Sequence, residues 1–195
     1  MSPASSSLPV AVVTGANSGI GRATAIHLAT NGFRVIGTVR GLSKITKANS
    51  MAAEAGVSIE WVELDVADDA SVTRGFEEIF RIAGHVDVLV NNAGVGGNAV
   101  VEECPPSLYL EVMNINLCGA ARCAQAVLPS MRARRSGCIV NVSSVVGRFA
   151  ALAQAPYVAS KWALEAMSEG LAQELAPWGI RVAIVEPGIT KSAIF

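Results

Sequence analysis

Short apolar runs alternate along the chain with longer stretches in which apolar residues recur at helical spacing. Residues 10–13 form a continuous apolar run, too short for a helix and stopped by a glycine-rich turn. Residues 20–30 carry the helical period, with Gly32 placed to end the helix. Residues 35–39 read as a strand, residues 43–55 as a helix ending at Gly56, and residues 57–64 as an alternating strand rich in β-branched residues. Residues 69–83 read as a helix, with Asp68 or Asp69 as N-cap and Gly84 after it. Residues 86–90 are another buried strand. In the second half, residues 107–135 read as one long helix or as a short helix leading into a long one. Residues 139–142 are a strand, residues 157–176 a helix closed by Pro177-Trp178-Gly179, and residues 180–185 the last strand, followed by Pro187-Gly188.

Six strands alternating with helices spell a βαβ series. Right-handed crossovers then predict an α/β fold with a doubly wound parallel sheet in three layers. Composition agrees. The chain has 195 residues, of which 51% are hydrophobic and 16% charged, which excludes a disordered chain. The mean hydropathy of +0.43 suggests a membrane protein. Yet no window reaches the ~18 uninterrupted apolar residues that a spanning helix needs. The apolar excess is instead expected inside a sheet covered on both faces.

Charge and cysteine usage narrow the function further. A net charge of -1 leaves no electrostatic footprint for nucleic acid. The one basic cluster, Arg132, Arg134 and Arg135, falls where a helix ends, and cations there offset the macrodipole. Cys104, Cys118, Cys123 and Cys138 include no C-x-x-C pair, and only His27 and His85 could join them. No metal site and no disulfide framework is expected; the thiols should be reduced and mostly buried. Residues 1–8 are Ser/Pro-rich and lack the basic and apolar regions of a signal peptide. They are expected to be a disordered tail before one domain over residues 9–195, in a cytoplasmic protein.

The first strand-to-helix turn reads Thr14-Gly15-Ala16-Asn17-Ser18-Gly19-Ile20-Gly21. Glycines between a strand and a helix are the context of a dinucleotide site. Gly15 allows the tight turn. Gly19 and Gly21 remove side chains where a pyrophosphate must approach the backbone and the helix start. The spacing, G-x-x-x-G-x-G, departs from the generic G-x-G-x-x-G. In this it resembles the classical short-chain dehydrogenase/reductase family, whose T-G-x-x-x-G-I-G motif residues 14–21 match in full. The resemblance runs over residues 10–195 and implies a Rossmann-type NAD(P)-binding domain, with Asn17, Ser18 and Ile20 also at the cofactor.

At the end of the second strand, an acid would bind a ribose 2′-hydroxyl and an arginine a 2′-phosphate. Here Val39 is followed by Arg40, and a guanidinium suits a phosphate. NADP(H) is therefore expected over NAD(H), with Arg40 standing alone, because neither Asn17 nor Ser18 is basic. The resemblance places Asp65 and Val66 near the adenine ring. It also aligns Asn91-Asn92-Ala93-Gly94 with the family's N-N-A-G motif. Asn91 would lie nearest the cofactor, with Ala93 and Gly94 beside it. Pro187-Gly188 matches the family's P-G motif against the nicotinamide, and Ser192 or Thr190 would bond its carboxamide.

Tyr157 and Lys161 stand at i and i+4, on one helix face and roughly 6 Å apart at Cβ. A phenol is a poor acid or base at neutral pH, with a pKa near ~10. A neighbouring ammonium favours the phenolate and lowers that value. The pair can thus serve as a general acid or base. Its order and spacing after Ser144 match the family's Ser-Tyr-Lys triad. By that resemblance Ser144 orients the substrate oxygen, Tyr157 transfers the proton, and Lys161 lowers the tyrosine pKa and binds the nicotinamide ribose. Asn116 holds a water in the proton relay, with Asn114 as the nearby alternative; Ser143 is read as structural.

The implied reaction interconverts a ketone or aldehyde with an alcohol by hydride transfer. Phe149, Ala150 and Leu152, in the stretch over residues 145–156, read as an apolar pocket wall or as core packing, and residues 157–188 resemble reductases and dehydrogenases of steroid, retinoid or other lipophilic alcohols, so a lipophilic substrate is expected. A 3-oxoacyl-carrier-protein-type reductase and a non-catalytic NADP-binding regulator are the alternatives. Relatives dimerise through helices equivalent to residues 157–176, so a homodimer or homotetramer is expected. They also continue past the Pro-Gly segment. The resemblance therefore implies six strands with the usual seventh missing, and no C-terminal substrate-covering segment.

Overall fold

The computed structural model describes residues 8–190. The expected tail falls almost wholly outside them, as does Ser192. Among the described residues six strands form one parallel sheet: β1 (Val10–Val13), β2 (Arg34–Val39), β3 (Glu60–Glu63), β4 (Val88–Asn91), β5 (Gly137–Val142) and β6 (Ile180–Val185). Their order across the sheet is β3-β2-β1-β4-β5-β6. The order reverses at β1, so the crevice above the C-terminal ends of β1 and β4 is the topological switch point, where such sheets bind ligands.

Both faces of the sheet are covered. Side chains alternate along a strand, and in β1 all four residues are buried. Val10 and Val12 pack with α3 (Asp69–Ala83), α5 (Gly119–Arg134) and the end of α6 (Ala155–Leu175). Ala11 and Val13 pack on the other side with α1 (Gly19–Thr30) and α2 (Thr46–Glu54). This three-layer burial accounts for the high apolar content.

Several boundaries differ from the sequence pattern. The third strand begins only at Glu60, because the chain after Gly56 (φ +71°) is still closing α2 through the bond from Val57 N–H to Ala52 C=O. The helix expected over residues 43–55 is split, a 3-10 turn (Leu42–Lys44) preceding α2. Of the two readings of residues 107–135 the second holds: a short helix, α4 (Pro106–Met113), leads through a π-helical turn (Asn114–Cys118) into α5. The Asp68 carboxylate caps α3 by accepting from Ser71 N–H. The basic cluster ends α5, where Arg134 bonds Asp87 and the Val86 carbonyl. Arg132 and Arg135 lie over the Trp178 ring. The cysteines are free, but Cys118 is exposed and Cys138 half-buried, so "mostly buried" holds for only Cys104 and Cys123.

Among the described residues, no helix is long and apolar enough to cross a membrane. None of them forms a group of three or more His, Cys, Asp or Glu that could hold a metal ion.

Candidate active site

The site begins at the β1–α1 turn. Thr14 stitches β1 to the segment after β4: its hydroxyl accepts from Asn92 N–H and Ala93 N–H, each at 3.0 Å. The Asn92 amide donates back to the Thr14 carbonyl at 2.8 Å. Gly15 and Gly19 have φ of +65° and +53°, which glycine adopts without strain. Ser18 is the N-cap of α1 but makes no side-chain cap bond. The helix start thus leaves free N–H groups that suit a phosphate.

Gly21 has a different task from the one its spacing suggests. A Cβ there would come 2.5 Å from the Gly15 carbonyl oxygen and would also strike the Asn92 amide. It lets α1 sit against the turn, and it does not line the cleft.

A cleft of about 380 Å³ runs along the C-terminal edge of the sheet. At one end it is lined by Val39, Arg40, Asp65 and Val66. In the middle it meets Gly15, Asn17, Ser18, Gly19, Ile20, Ala93 and Gly94. Ser144, Tyr157, Lys161, Pro187, Gly188 and Thr190 line the other end. Nearly all the cofactor residues named from the sequence are therefore gathered in one crevice. Its positive phosphate end, glycine turn and hydroxyl-bearing end fit an NAD(P).

Two expectations are corrected. Asn91 is buried and absent from the cleft wall; its amide donates to Asn141 Oδ1 at 2.9 Å and to the Ala120 carbonyl at 3.2 Å. Strand alternation turns it into the core, and Asn92, the next residue, faces the cleft instead. Arg40 does not stand alone either. Lys44, in the 3-10 turn after β2, lines the same end of the cleft.

The hydroxyl-bearing end is assembled from α6 and the segment after β5. Ser144 caps a 3-10 turn (Val145–Gly147), its Oγ accepting from Val146 N–H at 3.3 Å. It is also hydrogen-bonded to the Tyr157 hydroxyl. Lys161 donates from Nζ to the Val142 carbonyl at 2.9 Å, and its Nζ lies 5.6 Å from the Tyr157 ring centroid. Ser143 also lines the cleft, but its Oγ is buried with no hydrogen-bond partner among the described residues.

The electrostatics differ from the simple Tyr-Lys expectation. Burial pushes the Tyr157 phenol above its ordinary value, and the bond with Ser144 only partly opposes this. Burial also pulls the Lys161 ammonium down to about 8, against the charge of Glu165. Desolvation disfavours both charged forms, so at neutral pH the phenol is protonated and the ammonium still mostly charged.

Asn116 sits in the π turn. Its amide clasps the segment after β4: Oδ1 accepts from Val95 N–H at 2.8 Å, and Nδ2 donates to the Val95 carbonyl at 2.9 Å. Nδ2 also donates to Ser160 Oγ at 3.0 Å. The side chain expected to hold a water is thus committed to tying the cleft wall to α6. Asn114 points elsewhere, donating to the Ala67 carbonyl.

Comparison with known proteins agrees with this geometry. A family described as short chain dehydrogenase matches the chain over residues 9–195. An uncharacterized oxidoreductase of Bacillus subtilis is 38% identical over 188 residues, 95% of this chain and 66% of that protein. Retinol dehydrogenase 8 of Bos taurus is 40% identical over 181 residues, 91% of this chain and 57% of that protein. The 3-oxoacyl-acyl-carrier-protein reductase of Escherichia coli is 36% identical over 183 residues, 94% of this chain and 74% of that protein. The chain thus spans under two thirds of the length of some of these relatives.

Among solved structures, a variant of actinorhodin polyketide ketoreductase with NADPH is similar at a TM-score of 0.91 and 36% identity. The match covers 95% of this chain and 72% of that one. An NAD+-bound xylitol dehydrogenase is similar at a TM-score of 0.87 and 35% identity, over 92% of this chain and 70% of that one.

Proposed function

The chain belongs to the short-chain dehydrogenase family, and we propose that it interconverts a ketone or aldehyde with an alcohol, using NADP(H) in preference to NAD(H). The observation that carries this reading is the meeting of Ser144, Tyr157 and Lys161 at one end of a cleft whose far end holds Arg40. A bound nicotinamide supplies the hydride. Gly15, Ser18 and Gly19 would hold the pyrophosphate, Arg40 and Lys44 a 2′-phosphate, and Pro187 and Gly188 the nicotinamide side.

The chain's own residues handle the proton. Tyr157, protonated at rest, gives its proton to the carbonyl oxygen in reduction and takes it back in oxidation. Ser144, hydrogen-bonded to Tyr157, orients that oxygen. Lys161, fixed by the Val142 carbonyl, sets positive charge near the phenolate that Tyr157 leaves behind. Asn116 and Ser160 keep the cleft wall against α6.

A lipophilic substrate is supported by exposed Val101, Phe149 and Leu152 on two segments that the Ala99–Gln154 bridge brings together. The relative named retinol dehydrogenase suits that reading, and the acyl-carrier-protein reductase keeps a 3-oxoacyl thioester as the second candidate. Trp162 on α6 and Leu110 on α4 are exposed, which supports pairing into a dimer or tetramer. Free thiols suit a reducing compartment, here the cytoplasm.

The test is oxidation of NADPH and of NADH with a panel of retinal, a steroid ketone, trans-1-decalone and an acetoacetyl thioester. Turnover with NADPH on at least one is expected. Tight NADPH binding with no turnover on any would replace the enzyme with an NADP-sensing regulator.

A further inference from the structure

Glu165 lies one helical turn beyond Lys161 on α6 and is 4% exposed. Neither of its carboxylate oxygens has a hydrogen-bond partner among the described residues. An acid buried in that state is costly unless cations answer its charge. Two do. Arg148 Nη2 stands 3.2 Å from Glu165 Oε2, an ion pair without hydrogen-bond alignment. Lys161, buried one helical turn back on the same face of α6, is the other, and the charge of Glu165 favours its ammonium form. The backbone also fits the carboxylate: a Cβ on Gly147 would come 2.9 Å from Glu165 Oε1, and as close to Ser143 Oγ.

Arg148 follows the turn that Ser144 caps. It also reaches Glu186 (Nε to Oε1, 2.9 Å), next to Pro187, and Glu169 of α6 at 3.8 Å. One guanidinium thus ties the Ser144 segment and the Pro187 segment to the helix that carries Tyr157 and Lys161.

We infer that Glu165 is the buried counter-ion of Lys161, and that Arg148 draws on the same carboxylate, so that Arg148 sets how much of its charge Lys161 feels. Both are positioning residues. The role given to Lys161 rests on the function proposed above; the charge relation itself does not. The groups concerned are few. Tyr157, Lys161, Glu165 and Glu169 come from α6, Arg148 from the segment after the 3-10 turn, and Glu186 from the end of β6. On packed elements, Glu111 of α4 and Arg181 of β6 are exposed, Tyr109 of α4 is half-buried, and the π turn offers no ionisable group but exposed Cys118.

The test reads Lys161 directly, without substrate. Lys44, Lys47, Lys161 and Lys191 are the lysines of the chain, so Cε-labelled lysine gives a simple NMR titration. K161R assigns the signal. Wild type should show a midpoint at about 8. E165Q should lower it by about one unit, the order of shift that a neighbouring opposite charge produces. R148Q should raise it, because Glu165 then faces Lys161 alone. Mere loosening of the fold would admit water and raise the midpoint in both variants. A midpoint that stays or rises in E165Q overturns the inference, as does a fall in R148Q. Should E165Q not fold, Glu165→Asp is read in its place and must lower the midpoint by less. If the midpoints move as expected and no carbonyl compound is turned over, the proposed function fails and this relation stands.

Discussion

The two ends of the cleft are built by different means. The β1–α1 end is made of backbone: glycines at positive φ, free N–H groups at a helix start, and amide–carbonyl stitches between Thr14 and Asn92. The β5–α6 end is made of buried side chains, Tyr157, Lys161 and Glu165, and burial shifts the first two away from their charged forms. Backbone sites fail by collision, and buried polar sites fail by losing a proton balance. Substitutions at the first end should therefore show in cofactor affinity and stability. Those at the second should show in turnover and pH dependence.

Tyr157→Phe tests this difference hardest. It removes the proposed proton donor and almost nothing else. Turnover should fall on the order of 10²–10⁴-fold, the usual worth of a positioned acid or base. NADPH affinity, read by fluorescence titration, should barely move. A large affinity loss would mean that the two ends are not separable.

Arg40→Asp is the next largest effect. Arg40 lines the cleft beside Lys44, and a charge-assisted hydrogen bond contributes about 1.5–3 kcal/mol. The preference for NADPH over NADH should fall tenfold or more, by roughly that energy. An unchanged preference would pass the phosphate to Lys44 and leave Arg40 a surface residue. Gly21→Ala comes third. Its Cβ meets the Gly15 carbonyl oxygen at 2.5 Å, so the turn must shift. Overpacking of this kind costs about 1–3 kcal/mol. Denaturation should show that loss, with weaker NADPH binding and with an unaltered pH profile for the turnover that remains.

What could be read from sequence divides along the same line. The glycine turn was legible because strand, turn and helix start are contiguous, so local spacing carries the geometry. The meeting of Tyr157 and Lys161 was legible because four residues make about one helical turn. Three things were not. The place of the break that the pattern allowed in residues 107–135 is one: Asn114–Cys118 contains no proline, and only tertiary bonds such as Asn116 to Val95 locate it. The contacts of Arg148 join residues far apart in sequence. Lys44 reaches the cleft only because a 3-10 turn redirects the chain before α2.

Asn91 and Asn92 are neighbours, and one belongs to each kind of construction. Asn91 lies at the seam between the two ends. Its amide reaches Asn141, Asn141 reaches Ser168, and Ser168 closes on the Leu164 carbonyl, a buried polar chain from β4 through β5 into α6. Asn91→Ala should cost about 1 kcal/mol, the typical worth of such a bond, seen as a lower denaturation midpoint. NADPH affinity should stay unchanged, because Asn91 does not reach the cleft. Asn92→Ala should do the reverse, loosening the Thr14 and Gly15 carbonyls and weakening NADPH binding more than it weakens the fold. If Asn91→Ala lowered affinity more than Asn92→Ala, the cleft would be held from the core rather than from the turn, and the separation of the two ends would fail.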